Sequence, residues 1–352
     1  MALIMAAKKQ HAPKTGMAFL KGKTVLVTGG TGTFGRACVA RLLREPVGKI
    51  IVFSRDELKQ SQLQHLYPRE KRLRFFIGDI RDRERLDRAF HGVDIVVHAA
   101  ALKQVPATEY NPTEAIKTNI IGTQNVIDAA IDAGVGKVLL VSSDKAVQPI
   151  NLYGATKLAA EKLSVAANAY SGGGVTAISV IRYGNVIGSR GSFIELLRTQ
   201  RASGVITLTH EKMTRFWITI ERVMDIVLQS LQVMKGGEIF VPKMKNLPVA
   251  DVIKLLTPEC KVETIGIRPG EKLHEEMITA SDSPNTVDLG SYYAILPSGA
   301  DYAIDDYCER MGGTRVQPGF SYDSGSNSDF LSVPQLRALI DKHVENPGVA
   351  HH

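Results

Sequence analysis

Lys23-Thr24-Val25-Leu26-Val27-Thr28-Gly29-Gly30-Thr31-Gly32-Thr33-Phe34-Gly35 is the stretch that decides the fold. Its first six residues are a β-branched run that reads as a buried strand. Glycines at 30, 32 and 35 fit G-x-G-x-x-G, and those at 29, 32 and 35 fit the wider G-x-x-G-x-x-G spacing. A helical pattern follows from Ala37 to Leu43. Glycine tolerates the tight turn, lets the backbone approach a pyrophosphate and leaves helix N–H groups aimed at it. A glycine motif alone is compatible with an ordinary turn. Strand, glycines and helix in this order point to a dinucleotide-binding unit.

Working outward, Lys49-Ile50-Ile51-Val52-Phe53 is a second strand that ends at Ser54-Arg55-Asp56-Glu57. An NAD enzyme places an acid at this tip, about twenty residues beyond the glycines, whereas an Arg accommodates the 2′-phosphate of NADP. Ser54 and Arg55, with Lys59 one turn on, point to NADP; the alternative is that Arg55 is a solvated loop charge and Asp56 takes the ribose. Leu73 to Ile80 reads as a third strand ending in Asp79, an acid suited to adenine. Asp94 to Ala101 is a fourth, whose Ala99 and Ala100 let the backbone run close to a cofactor. His98 inside it reads as a core histidine, and Lys103 beyond it as either a phosphate or sugar contact or a surface lysine. Further strands are Lys137–Val141 and Val175–Ile181. Strands alternating with amphipathic helices predict a Rossmann-type, doubly wound parallel α/β sheet. After Arg182-Tyr183-Gly184-Asn185 the alternation fades, which suggests a smaller C-terminal substrate-binding lobe.

The chain has 352 residues, enough for a large core, and carries 43 Lys and Arg against 36 Asp and Glu, a net charge of +7. With no Lys/Arg-rich block or interleaved aromatics, this excess does not argue for nucleic acid and suits a phosphate-bearing ligand. Cys38, Cys260 and Cys308 are widely spaced and show no metal-ligand pattern, so they read as thiols of a reducing, cytoplasmic compartment. No stretch approaches the roughly twenty apolar residues of a membrane span. The expected organisation is a flexible tail at 1–20, a cofactor domain with the catalytic residues at 21–185, a mainly substrate-binding lobe at 186–340, partly interleaved with it, and a second tail at 341–352. Gly172-Gly173-Gly174 is a loop.

The chemistry concentrates in Ser142-Ser143-Asp144-Lys145 and Tyr153-Gly154-Ala155-Thr156-Lys157. Tyr153 and Lys157 are four apart and share one helix face. A phenol beside an ammonium is expected to have a lowered pKa and to accept the proton of a sugar hydroxyl. Asp144 and Lys145 place an acid and a potential base at the carboxyl end of a strand, where open α/β sheets bind ligands. A dehydrogenase needs only the tyrosine–lysine pair, so the second pair implies more than hydride transfer. Downstream, Ser189-Arg190, Met213-Thr214-Arg215-Phe216-Trp217 and Gly266-Ile267-Arg268-Pro269-Gly270-Glu271-Lys272 put arginines in expected loops, as diphosphate clamps or as structural ion pairs.

The glycine turn, Tyr153-x-x-x-Lys157 and Arg182-Tyr183-Gly184-Asn185 resemble the extended short-chain dehydrogenase/reductases that act on nucleotide sugars. More narrowly, Ser143-Asp144-Lys145-Ala146, Pro149 to Lys157, Met213 to Trp217 and Ile267 to Glu275 resemble the inverting UDP-N-acetylglucosamine 4,6-dehydratases that open pseudaminic acid biosynthesis. The resemblance runs from about Lys21 to Ile340. Lys145 stands where dTDP-glucose dehydratases have glutamate, and Tyr153 where the long membrane-bound relatives have methionine; Ser143 departs from the threonine of many relatives. The resemblance implies oxidation at C4 through Tyr153 kept acidic by Lys157, removal of the C5 proton by Lys145, and protonation of the leaving C6 hydroxyl by Asp144. The redox cofactor is recycled and C5 is reprotonated with inversion. For Lys145 to act as base its pKa has to be depressed, which burial and Lys157 are expected to do; an electrostatic role is the alternative. A retaining dehydratase and a nucleotide-sugar 4-epimerase are the rival activities. Ser143 is expected to bond the sugar. Cofactor contacts are assigned to Gly29, Thr31, Gly32, Thr33, Phe34, Gly35, Ser54, Arg55, Asp56, Lys59, Gln60, Asp79, Ile80, Ala99, Ala100 and Asn119, besides Tyr153 and Lys157. Substrate contacts are assigned to Lys103, Asn185, Ser189, Arg190, Thr209, Arg215, Arg268 and Glu271, and relatives imply a homo-oligomer, a hexamer or smaller.

Overall fold

A computed structural model of the chain describes residues 17–171, 175–189, 193–298 and 303–342. Arg190, the glycine loop at 172–174 and most of both tails lie outside these residues. The apolar runs become the strands β1 (Thr24–Thr28), β2 (Lys49–Ser54), β3 (Leu73–Ile77), β4 (Ile95–His98), β5 (Lys137–Ser143) and β6 (Ala177–Tyr183). Between them lie α1 (Thr33–Leu42), α2 (Glu57–Leu66), α3 (Arg83–Phe90), α4 (Val105–Tyr110), α5 (Pro112–Ile116), α6 (Gly122–Asp132) and α7 (Leu152–Ala166).

The six strands are parallel, in the order β3-β2-β1-β4-β5-β6. Chain direction along the sheet reverses between β1 and β4, the switch point where such sheets bind ligands. Alternation along β1 explains why both faces need helices: Val25 and Val27 pack with Val39 and Leu42 of α1, whereas Leu26 packs with Leu86 of α3 and Val126 of α6. Several boundaries differ from expectation: β3 ends at Ile77 and β4 at His98, each three residues short of the expected end, and β5 runs on to Ser143. β6 runs two residues later than the apolar run suggested, and α1 begins at Thr33, within the glycine motif.

The sheet does not stop at β6. Ile239–Pro242 adds a seventh parallel strand, and Tyr292–Ile295, Thr286–Asp288 and Thr314–Arg315 extend it antiparallel. These strands are only two to four residues long, too short to show a period in sequence. Other short strands form small sheets of their own: Asn185–Val186 with Thr214–Ile218 and Lys245–Pro248, and Val205–Leu208 with Lys261–Thr264. They enclose a separate apolar core that includes Ile187, Ile206, Trp217, Leu247 and Ile253. Residues 186–340 therefore feed both bodies. Among the described residues no helix is long and apolar enough to cross a membrane.

Candidate active site

The turn after β1 is shaped for an anionic dinucleotide. Gly32 is the N-cap of α1, and no side chain there caps the first helical N–H groups, which leaves them directed at an incoming phosphate. Gly29 has φ +66°, and a Cβ on it would lie 2.9 Å from Ala100 N. A Cβ on Gly35 would lie 2.4 Å from both Gly29 O and Gly30 Cα. The first glycine is thus required by conformation and by the backbone at Ala99 and Ala100, the other by contact between helix and turn. Thr31 is buried within the turn, Thr33 opens the helix, and the Phe34 ring lies parallel to Tyr183 with centroids 6.4 Å apart.

At the tip of β2, Ser54 is buried and its oxygens accept from Gln60 Nε2, which also donates to Phe76 O. Asp56 is engaged locally: it caps α2 by accepting from Lys59 N at 2.9 Å and pairs with Lys59 Nζ at 2.6 Å. Arg55 is half exposed, its Nη1 3.5 Å from Asp79 Oδ2. Burial raises the Asp79 pKa, but hydrogen bonds from Arg81 and the charge of Arg55 bring it below the usual carboxylate range. Ile80 is buried against Gly122. Asn119 lies on a π-helical turn, Lys117–Ile121; its side chain bonds Leu102 N and O and Thr156 Oγ1, and Thr156 Oγ1 donates to Tyr153 O. Asn119 therefore ties the loop after β4 to the helix that carries the tyrosine. His98 is a core residue, bonded to Thr28 and Thr123.

β5 ends in Ser143, and Asp144-Lys145-Ala146 follow as one 3-10 turn directly on the strand tip. Asp144 Oδ1 accepts from Ser143 Oγ at 2.7 Å and lies 3.0 Å from Lys145 Nζ. Burial opposes ionisation of Asp144, yet Lys145, Ser143 and Arg215 hold its pKa below the ordinary value. Two electrostatic expectations are corrected here. The Lys145 pKa is raised, not depressed: burial lowers it, but the charges of Asp144 and Glu275 outweigh burial. The Tyr153 pKa is also raised, by burial, with Lys145 and a hydrogen bond from Ser143 acting in the opposite direction. The Lys157 amine instead donates to Val141 O at 2.7 Å, and burial pulls its pKa down to about 8 against the charge of Glu161. Lys145 is thus a cation whose charge acts on the phenol.

Beneath the site, Glu161 accepts from Ser142 Oγ at 2.5 Å and from Arg182 Nη2 at 2.6 Å, pinning β5, β6 and α7 together. Glu275 joins this cluster: it is buried, with Oε1 3.6 Å from Lys145 Nζ and 3.5 Å from Arg215 Nε. Sequence reasoning included it in the Ile267 to Glu275 segment that carries the resemblance but gave it no role, because the segment is charged and looks like a solvated loop.

Beside this group a cavity of about 150 Å³ gathers Asn185, Thr209, Arg215, Arg268 and Glu271 over the apolar side chains of Phe193, Met213, Trp217 and Val249. Arg215 is not on a loop as expected but on the strand Thr214–Ile218, nearly buried, its Nη1 held by Thr214 O and Leu273 O. Glu271 Oε2 is buried and, among the described residues, has no hydrogen-bond partner. Lys103, exposed after β4, and Ser189, whose N donates to Val186 O, do not line this cavity. Two guanidinium groups, an unmatched carboxylate and an apolar wall suit a nucleoside diphosphate.

The sequence profile of the polysaccharide biosynthesis protein family matches residues 25–297. The chain belongs to that family. Among its relatives, a UDP-N-acetylglucosamine 4,6-dehydratase (inverting) of Campylobacter jejuni is 47% identical over 92% of this chain and 98% of its own length. A UDP-glucose 4-epimerase of Rickettsia akari is 42% identical over 81% of this chain and 86% of its own. Among solved structures, Pen from Bacillus thuringiensis has a TM-score of 0.83 at 39% identity, covering 92% of this chain and 98% of that one. A dTDP-glucose 4,6-dehydratase, DesIV from Streptomyces venezuelae, solved with NAD and TYD bound, has a TM-score of 0.63 at 25% identity, covering 71% and 86%. These solved structures share the parallel sheet, and in this chain the Asp144–Lys145–Tyr153 group sits at its strand tip.

Proposed function

We infer that this chain is a UDP-N-acetylglucosamine 4,6-dehydratase that inverts C5, the activity that opens pseudaminic acid-type sugar biosynthesis. The observation that carries the inference is the pair Asp144–Lys145, 3.0 Å apart beside Tyr153 at the end of β5. A 4-epimerase needs a proton acceptor at O4 and has no use for a donor–acceptor pair at C5 and C6.

The glycine turn and the uncapped start of α1 fit a nicotinamide dinucleotide, and we assign NADP: Arg55 and Lys59 stand at the β2 tip, while Asp56 is already held by its own helix. When bound, the nicotinamide supplies a hydride acceptor for C4 and the hydride donor for C6, so no net redox occurs. Tyr153 takes the O4 proton, with Ser143 and the Lys145 ammonium stabilising its phenolate. A ketone at C4 makes the C5 hydrogen acidic. One proton is exchangeable across the 3.0 Å between Lys145 Nζ and Asp144 Oδ1. With that proton on Asp144, Lys145 is the base at C5 and Asp144 the acid that releases C6 oxygen as water. After elimination the proton from C5 resides on Lys145 and Asp144 is ionised, which is the ion pair described above. The proton that Tyr153 took from O4 is delivered to C5 from the opposite face, which returns Tyr153 to its phenolate and gives the L-arabino 4-keto-6-deoxy sugar. Arg215, Arg268 and Glu271 hold the UDP.

The test is an NMR spectrum of the product formed from UDP-N-acetylglucosamine in deuterated water. Deuterium at C5 with inverted configuration is expected. Retained configuration would place the chain with retaining dehydratases, and UDP-N-acetylgalactosamine without loss of water would make it an epimerase.

A further inference from the structure

Among the described residues, three buried glutamates lie near β5: Glu161, Glu238 and Glu275. Glu161 is saturated by Ser142 and Arg182, and Glu238 by Ser179 Oγ, Lys235 N and Gly236 N. Both behave as buried structural carboxylates do, with their oxygens matched. Glu275 differs. It is 3% exposed, its Oε2 has no hydrogen-bond partner among the described residues, and its Oε1 stands 3.5–3.6 Å from two cations. Its backbone is fixed: Glu275 N donates to Ser324 Oγ at 2.9 Å and Ser324 N donates to Glu275 O at 2.8 Å. A buried carboxylate left half unmatched is costly unless something else requires it there. Of its two cations, Lys145 is in the acid–base pair and Arg215 is in the wall of the substrate cavity.

We propose that Glu275 is a positioning residue of this reaction, holding the Lys145 amine beside Asp144 and linking it to Arg215. The proposal rests on the assignment of Lys145 as the C5 base. With Asp144 on its other side, Glu275 fixes where the amine points; without it, Asp144 is the single carboxylate holding Lys145. The charged and titratable groups facing Lys145 are Asp144, Glu275, Arg215, Tyr153, Lys103 and Lys272. Among them only Asp144 and Glu275 are anionic, so neutralising Glu275 makes the amine easier to deprotonate.

The experiment compares Glu275→Gln, Glu275→Asp and Lys145→Ala with the wild-type enzyme, measuring kcat and KM for UDP-N-acetylglucosamine across pH, C5 exchange in deuterated water, and Tm. For Glu275→Gln the expected result is a kcat lowered at least about tenfold with KM changed less than about threefold. The rising limb of its kcat profile should lie about one pH unit lower, the scale of a lost neighbouring charge. Glu275→Asp, which keeps the charge but withdraws it by one methylene, should return the limb toward the wild-type position. A Glu275→Gln enzyme with wild-type kcat and limb overturns the proposal. So does an equal loss in both variants with an unmoved limb and a lowered Tm, the pattern of a structural role. Should Glu275→Gln not fold, Glu275→Asp decides: unchanged kcat and limb overturn the proposal, a reduced kcat with a displaced limb supports it. Lys145→Ala separates the two ideas, because C5 exchange that survives in it removes the base assignment whatever the Glu275 variants do.

Discussion

Replacing Gly35 by alanine tests the link between the glycine turn and cofactor binding. The added Cβ would stand 2.4 Å from Gly29 O and Gly30 Cα and 2.6 Å from Gly30 C, all backbone atoms. Ordinary contact begins near 3.4 Å, so the start of α1 has to retreat from the turn by about 1 Å, at the about 1–3 kcal/mol typical of overpacking. The same retreat carries the N–H groups at the start of α1 away from the pyrophosphate. Since each 1.4 kcal/mol is about tenfold in affinity, calorimetric titration should show NADP binding weakened about tenfold or more, and the Tm of the cofactor-free enzyme should fall by several degrees. Gly32→Ala is the control, because the nearest atom to its Cβ is Gly29 O at 3.3 Å. It should lose affinity, its methyl facing the phosphate, while keeping a Tm near wild type. A Gly35→Ala enzyme with wild-type affinity and Tm would refute the reasoning, and so would equal loss of Tm in both variants.

Other outcomes follow from the same geometry. Arg55→Ala should weaken NADP binding by at least about tenfold, the worth of one charge-assisted contact, and NAD binding little; equal losses for both cofactors would remove the NADP assignment. Asp144→Asn keeps size but has no acidic proton, so the variant should bind UDP-N-acetylglucosamine and accumulate absorbance at the reduced-nicotinamide band without releasing product; normal turnover would move the acid elsewhere. His98 is buried, and burial, with the charge of Lys157, lowers its pKa to about 3. The folded protein therefore takes up fewer protons there than the unfolded chain, and this stability is present above the unfolded pKa of about 6.5 and lost at about 1.4 kcal/mol per pH unit below it. Urea unfolding at pH 7.5 and 5.0 should show a smaller acid loss in His98→Gln than in wild type; parallel losses would mean that other groups carry the acid sensitivity.

The local pattern was enough for the cofactor half of the fold. Strand, glycines and helix are adjacent in the chain, and parallel strands buried on both faces announce themselves as apolar runs. The spacing of Asp144, Lys145, Tyr153 and Lys157 placed the chemistry at one strand tip for the same reason: contiguous residues on a strand end and one helix have little freedom in where they go. What only the tertiary structure decided is the electrostatic state of that group. Sequence assigned Lys157 to acidify Tyr153 and to depress Lys145, yet both pKa values are raised, Lys157 bonds Val141 O, and Lys145 is a charge that acts on the phenol. Lys145 is held as a cation by Asp144, its neighbour in sequence, and by Glu275, 130 residues away on a segment with no periodic signal. Arg215 was expected on a loop and lies on a strand, and the short strands that extend the sheet past β6 carry no legible period. Periodicity reports which faces are buried, a short-range property of the chain. A buried group's pKa depends on which charges the fold brings within a few ångströms, and those come from anywhere in the sequence.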